Sequence, residues 1–221
     1  MHDSIDVSEL RKRTLIFAAL IAWCGALLFV RVMRSHSGAY LFLVWNLILA
    51  IVPAAAAIWF AQARSRVTQS VGFVIWLLFL PNAPYILTDF VHLRERPGIP
   101  LWFDIALLLS FAGTGLLLGY SSLADVQGVV AKRFGHVASW ATAFTALILS
   151  GFGIYLGRFL RFNSWDVLSD PLTIGSYVAR GIADPLAHPK TIVVTFVYGI
   201  GLTLGYLAYQ LPRLRTNMQS P

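Results

Sequence analysis

The fold class this sequence predicts is all-α: a polytopic membrane bundle of about six transmembrane helices, the third broken by prolines. Three observations predict it. Hydrophobic residues fill 57% of the 221 positions and charged residues 12%, and the mean hydropathy is +0.70, far too apolar for a soluble domain. Uncharged runs recur six times, at 14–30, 38–63, 67–88, 105–124, 137–157 and 191–212. Each sits in or beside the range of roughly 17–25 residues that a spanning helix needs. The third run ends in two prolines, Pro81 and Pro84, which together do not continue an undisturbed helix.

The elements follow in order. Residues 1–13 carry mixed charges and read as an exposed N-terminal arm, 14–212 as the six-helix transmembrane domain, and 213–221 as a C-terminal tail. The first run has a charged start but no A-x-A site after it, and so reads as a retained helix. The second helix starts near Tyr40, bears Trp45 and Asn46 in its first turns, and contains Pro53. The third reaches Pro81 after about 21 Å of rise, and the Asn82 carboxamide is a natural partner for carbonyls freed there. A Pro97-Gly98-Ile99-Pro100 turn leads to the fourth helix, which carries Asp104. Gly115/Gly119, Gly153/Gly157 and Gly201/Gly205 have the small-xxx-small spacing that lets helices approach closely. After the fifth helix comes the longest connection. There Asp170-Pro171 has the form of a helix start, and Leu172, Tyr177, Val178 and Ile182 make a short interfacial helix.

Charge excludes less than it suggests. A net charge of +7 points elsewhere to nucleic acid, but here Lys and Arg stand in ones, twos and threes at run ends, where they meet lipid headgroups. The partners implied are membrane lipids, with an anionic headgroup as a ligand, and no nucleic acid. Cys24 is the lone cysteine, so neither a disulfide framework nor a cysteine zinc site forms. Nine basic residues fall on the N-terminal side of the membrane and eight on the other. Three of the nine flank the first helix, which favours a cytoplasmic N-terminus in a cell membrane, the inner one in a bacterium.

With six spans, the connections after helices one, three and five share one face. Asn46, Asn82, Tyr85, Asp89, His92, Asp104 and the stretch 158–166 all fall toward it, while the opposite half shows no ionisable group inside the bundle. The stretch from Leu80-Pro81-Asn82-Ala83-Pro84-Tyr85 through Asp89 and His92, with 153–159 and 161–166, resembles an uncharacterised bacterial multi-pass membrane family, domain of unknown function 1361. The likeness runs from about Tyr40 to Tyr209. It implies a membrane protein and brings no activity with it.

The chemistry therefore rests on the residues. Asp89 and His92 stand i, i+3 on one helix face, and Asp104, His36 and His188 come from the same side and would complete a metal site; the alternative has Asp89 paired with Arg94, Arg96 or Arg158. Asp89, His92, Asp104 and Asp166 are the candidate acids, bases or ligands. Arg158 and Arg161 suit a phosphate or carboxylate, or else snorkel to headgroups. Asn46, Asn82, Tyr85, Asn163 and Trp165 complete the candidate binding set, against plain interhelical hydrogen bonding for the asparagines and an aromatic belt for the tryptophan. The metal and cofactor are undetermined. An enzyme on lipid headgroups or lipid-linked substrates, a small transporter using the broken helix, and a non-catalytic assembly protein all remain open.

Overall fold

The computed structural model describes residues 7–183 and 189–218. Among them there is no strand, only an isolated bridge between Arg96 and Ile99. The helices are α1 (Val7–Ser35), α2 (Phe42–Gln62), α3 (Arg66–Phe79), α4 (Asn82–Tyr85), a 3-10 segment (Ile86–His92), α5 (Leu101–Phe134), α6 (His136–Phe159), α7 (Asp166–Ser169), α8 (Pro171–Ala183) and α9 (Pro189–Met218). Among the described residues, six helical stretches are long and apolar enough to cross a membrane. The third of them, Arg66–His92, is the composite of α3, α4 and the 3-10 segment.

Local chemistry explains the boundaries. Ser65 caps α3 by accepting a hydrogen bond from the Thr68 amide at 3.1 Å, satisfying one of the open N–H groups of a first turn. Pro53 lies buried inside α2, which runs on to Gln62. A helix forms at the predicted place as α8, with the Asp170 carboxylate accepting from the Thr173 amide at 3.3 Å. Two helices run past the expected ends. α5 continues through Asp125 to Phe134, then turns at Gly135 (φ 87°) straight into α6; at 34 residues it is about 51 Å long. α9 continues through Pro212 to Met218.

α5 is the central helix. One buried cluster joins Trp76, Leu123, Val126, Leu147, Ile154 and Tyr206. A second joins Cys24, Leu28, Leu43, Leu47, Leu107 and Phe111. α5 contributes to both, and so does α2, through Ala56, Ala57 and Phe60 in the first and Leu43, Leu47 and Ala50 in the second. α1, α2 and α6 all pack on α5, and α9 packs on α6. In lipid such packing works through close contact and hydrogen bonds, because the surrounding tails are as apolar as leucine.

The half expected to hold no ionisable group does hold one pair. Arg13 donates to Asp125 at 2.7 Å, both partly buried, tying α1 to α5. An uncharged run ends at Asp125, but a helix does not when a cation from its neighbour neutralises the carboxylate.

Candidate functional site

The site is built around the break in the third span. Pro81 and Pro84 have no N–H to give, so the ladder shortens locally: Ala83 donates to the Leu80 carbonyl at 3.1 Å rather than to a residue one step earlier. The Phe79 carbonyl this leaves open accepts from Asn82 Nδ2 at 3.0 Å, as the sequence led us to expect. The same nitrogen donates to Ser164 Oγ at 2.8 Å, which ties the break to the α6–α7 connection.

Glycines hold the segment from two sides. A Cβ placed on Gly115 would sit 2.5 Å from the Ala83 carbonyl oxygen, and one on Gly119 2.9 Å from the Ala83 methyl. On α6, a Cβ on Gly153 would meet Pro81 at 2.6 Å, and one on Gly157 the Tyr85 ring at 3.0 Å. Two of the predicted close-approach pairs thus serve the broken segment. The third does not behave as a pair: Gly205 faces Tyr120, and Gly201 meets nothing. The tight α6–α9 contacts are at Gly151 and Gly199 instead.

Beyond the break lies an ionic cluster. Asp89 is 1% exposed; it accepts from Asn46 Nδ2 at 2.7 Å and from Arg158 Nη2 at 3.3 Å. Arg158 also donates to the Thr88 carbonyl, stacks its guanidinium 5.5 Å from the Tyr85 ring centroid, and reaches His92 Nε2 at 3.5 Å. The Asp89–Arg158 alternative to a metal is the arrangement found. In a 3-10 helix residues i and i+3 eclipse, so Asp89 and His92 do share a side, and a guanidinium occupies the place between them. Among the described residues no three His, Cys, Asp or Glu side chains converge as a metal site. His36 is exposed at a positive φ of 47°, and His188 lies outside the described residues.

Asp104 belongs to a separate cluster. Arg31, itself fully buried, clamps it through two N–H groups at 2.9 and 3.3 Å. The Tyr40 ring lies 4.7 Å from the Arg31 guanidinium and 4.9 Å from that of Arg96, and the Tyr40 hydroxyl donates to the His92 carbonyl at 3.0 Å. Burial, then the Asp104 carboxylate, raises the Tyr40 phenol above its ordinary range, so it stays protonated and keeps donating. Asp166 is occupied locally, accepting from the Asn163 amide at 2.6 Å, from Asn163 Nδ2 and from Ser169 Oγ.

A cavity of about 470 Å³ opens between α2, the broken span and α6. Its inner wall is apolar, with Leu49, Leu77, Leu78, Leu149, Phe152 and Leu156. Its other end carries Asn46, Asn82, Tyr85, Arg161, Asn163 and Ser164. Val167 and Ile174, from the segments after α6, border it. Arg161 takes a positive φ of 61° and, among the described residues, has no ion pair or side-chain hydrogen bond. Trp165 stands outside the lining, edge-on to Trp45 at 6.2 Å.

Of the candidate residues, then, Asn46, Asn82, Tyr85, Arg161 and Asn163 line one cavity, with Asn46 and Tyr85 also touching the Asp89–Arg158 cluster. Asp89, His92, Asp104, Arg158, Asp166 and Trp165 do not line it. Sequence reasoning passed over Arg31, Tyr40 and Ser164. Arg31 resembled a helix-end charge; its partner is 73 positions away and no local spacing links them.

Fold and site define a polytopic helical membrane protein whose third span breaks beside a half-polar, half-apolar cavity. The chain belongs to the family described as Protein of unknown function (DUF1361), whose model matches residues 45–204. That interval holds the broken span, both glycine clamps and every residue lining the cavity. No curated protein and no solved structure matches the chain.

Proposed function

We propose that this protein binds an amphipathic ligand with an anionic headgroup, a lipid or lipid-linked molecule, in the cavity between α2, the broken span and α6. The observation that carries this reading is Arg161. It is a guanidinium without a partner among the described residues, at the polar end of a cavity otherwise walled by leucine and phenylalanine. Guanidinium forks match phosphate and carboxylate geometry, and Asn46, Asn163 and Ser164 supply neutral hydrogen-bonding groups beside it. The volume falls within the roughly 300–1,000 Å³ usual for ligand sites. Binding is favoured over catalysis because Asp89, Asp104 and Asp166 are each engaged by protein groups, and among the described residues no carboxylate or histidine lines the cavity.

The test is a titration of the purified protein in detergent with phosphatidylglycerol or phosphatidylcholine, read by native mass spectrometry. Phosphatidylglycerol binds preferentially, and Arg161→Gln weakens it by roughly fivefold, the value of one basic residue near a headgroup, about 1 kcal/mol. Equal binding of both lipids at this site, unchanged by Arg161→Gln, overturns the proposal.

A further inference from the structure

The geometry points to a second anionic-lipid site at the opposite end of the same helices, formed by Arg66 and Arg133, in the other membrane leaflet. It does not depend on the reading of the Arg161 cavity.

A second cavity, of about 590 Å³, lies where α3 begins and α5 ends. Phe60, Phe73, Val74, Val129, Val130 and Phe134 give it an apolar body. Arg66, Gln69, Ser70 and Arg133 form its polar end, and no carboxylate lines it. Arg133 donates to Gln69 Oε1 at 2.5 Å and stacks 5.3 Å from Phe134; it has no acidic partner among the described residues. Arg66 has no side-chain partner there at all. Both guanidiniums are exposed at the mouth of an apolar cavity with no carboxylate beside them, a placement that suits an anionic headgroup at the membrane surface.

The two cavities share walls. On α3, Arg66, Gln69, Ser70, Phe73 and Val74 line the second, and Leu77 and Leu78, with Pro81 just past its end, line the first, a stripe at intervals of three and four residues. On α6 the corresponding residues are Ala138 and Thr142, then Leu149, Phe152 and Leu156. From Arg66 to Pro81 is about 22 Å of helix, so the polar ends lie near opposite surfaces of a ~30 Å hydrocarbon core. The stretch between them, Val74, Leu77, Leu78 and Leu149, is apolar. It accepts tails and offers nothing to a headgroup in transit. The arrangement is that of two lipids meeting tail to tail.

The same phosphatidylglycerol titration reads the second site. Wild type binds two lipids above the phosphatidylcholine background. Arg66→Gln with Arg133→Gln removes one of them, lowering its affinity by roughly thirtyfold, the combined value of two basic residues, and leaves the Arg161-dependent lipid in place. Val74→Trp, which fills the apolar body at an exposed position, removes the same lipid without touching a charge. Inorganic phosphate at equal concentration does not compete, which separates a lipid site from a free-anion site. Two lipids still bound by both variants, or competition by phosphate, overturns the inference. Arg161→Gln losing the other lipid, or losing none, bears on the first cavity alone.

Discussion

An ionisable side chain inside a bilayer persists only with a partner, and the buried charges here obey this in pairs. Arg31–Asp104 is the more enclosed, at 0% and 2% side-chain exposure. Removing one member of such a pair strands the other and costs about 3–5 kcal/mol, whereas replacing both with apolar side chains is far milder. Arg31→Met is therefore expected to lower stability severely, and Arg31→Met with Asp104→Leu to restore much of it, in denaturant unfolding in detergent. A double variant no more stable than the worse single one would show that the pair does not act as a unit. Asp89–Arg158 is looser, because Asn46 and the Thr88 carbonyl share the contacts. Asp89→Asn and Arg158→Gln each destabilise, and the double variant loses less than their sum, with a coupling of about 0.5–3 kcal/mol. Strict additivity excludes the coupling.

At the scale of elements, the broken span is a backbone feature that neighbouring helices make room for. Its carbonyls approach α5 where only glycine stands, so Gly115→Ala drives a methyl against the Ala83 carbonyl. Overpacking of this kind costs about 1–3 kcal/mol. Gly113, two residues away, has nothing within 4 Å of an added Cβ, and Gly113→Ala is expected to leave the unfolding midpoint unchanged or slightly higher. Equal effects from the two substitutions would deny the clamp. The small-xxx-small spacing was legible in the sequence, but its target was not: spacing shows that a helix face is small and leaves open which neighbour fills it. Ala83 faces the clamp and is fully buried, so a cysteine there is shielded. Ser164, on the cavity lining, is the position where a small polar thiol reagent is expected to react.

For the whole molecule, six spans are expected to put the start of α1 and the end of α9 on one side. In a Cys24→Ala background, cysteines replacing Gly98 and Lys132 are expected to label with an impermeant reagent from opposite sides. Labelling from the same side breaks the six-span topology. The ends of the bundle are also more alike than the sequence suggested. Opposite the broken span, Tyr206 donates to Gln127 Oε1 at 2.5 Å, and Gln210 donates to both at 2.6 and 3.1 Å, while Arg13 pairs with Asp125 from α1. Each end therefore holds a polar layer and a cavity with an arginine at its mouth.

By itself the sequence determined the membrane class, the six spans, the broken third helix and the stretches that carry the polar groups. These depend on quantities local to the chain: run length against bilayer thickness, the missing N–H of proline, and the cost of a polar atom in hydrocarbon. Tertiary structure alone decided the pairings. Whether Asp104 was a free acid or one half of a clamp depended on Arg31, on α1 and 73 positions away. Whether Arg158 or Arg161 borders the cavity depended on which guanidinium pairs with Asp89. Arg158, still on α6, reaches the carboxylate; Arg161, past the helix end in a left-handed backbone conformation, turns to the cavity. The two stand three positions apart, and nothing in their identity distinguishes them, because a side chain's role in a low-dielectric interior is set by the charge that three-dimensional packing brings beside it.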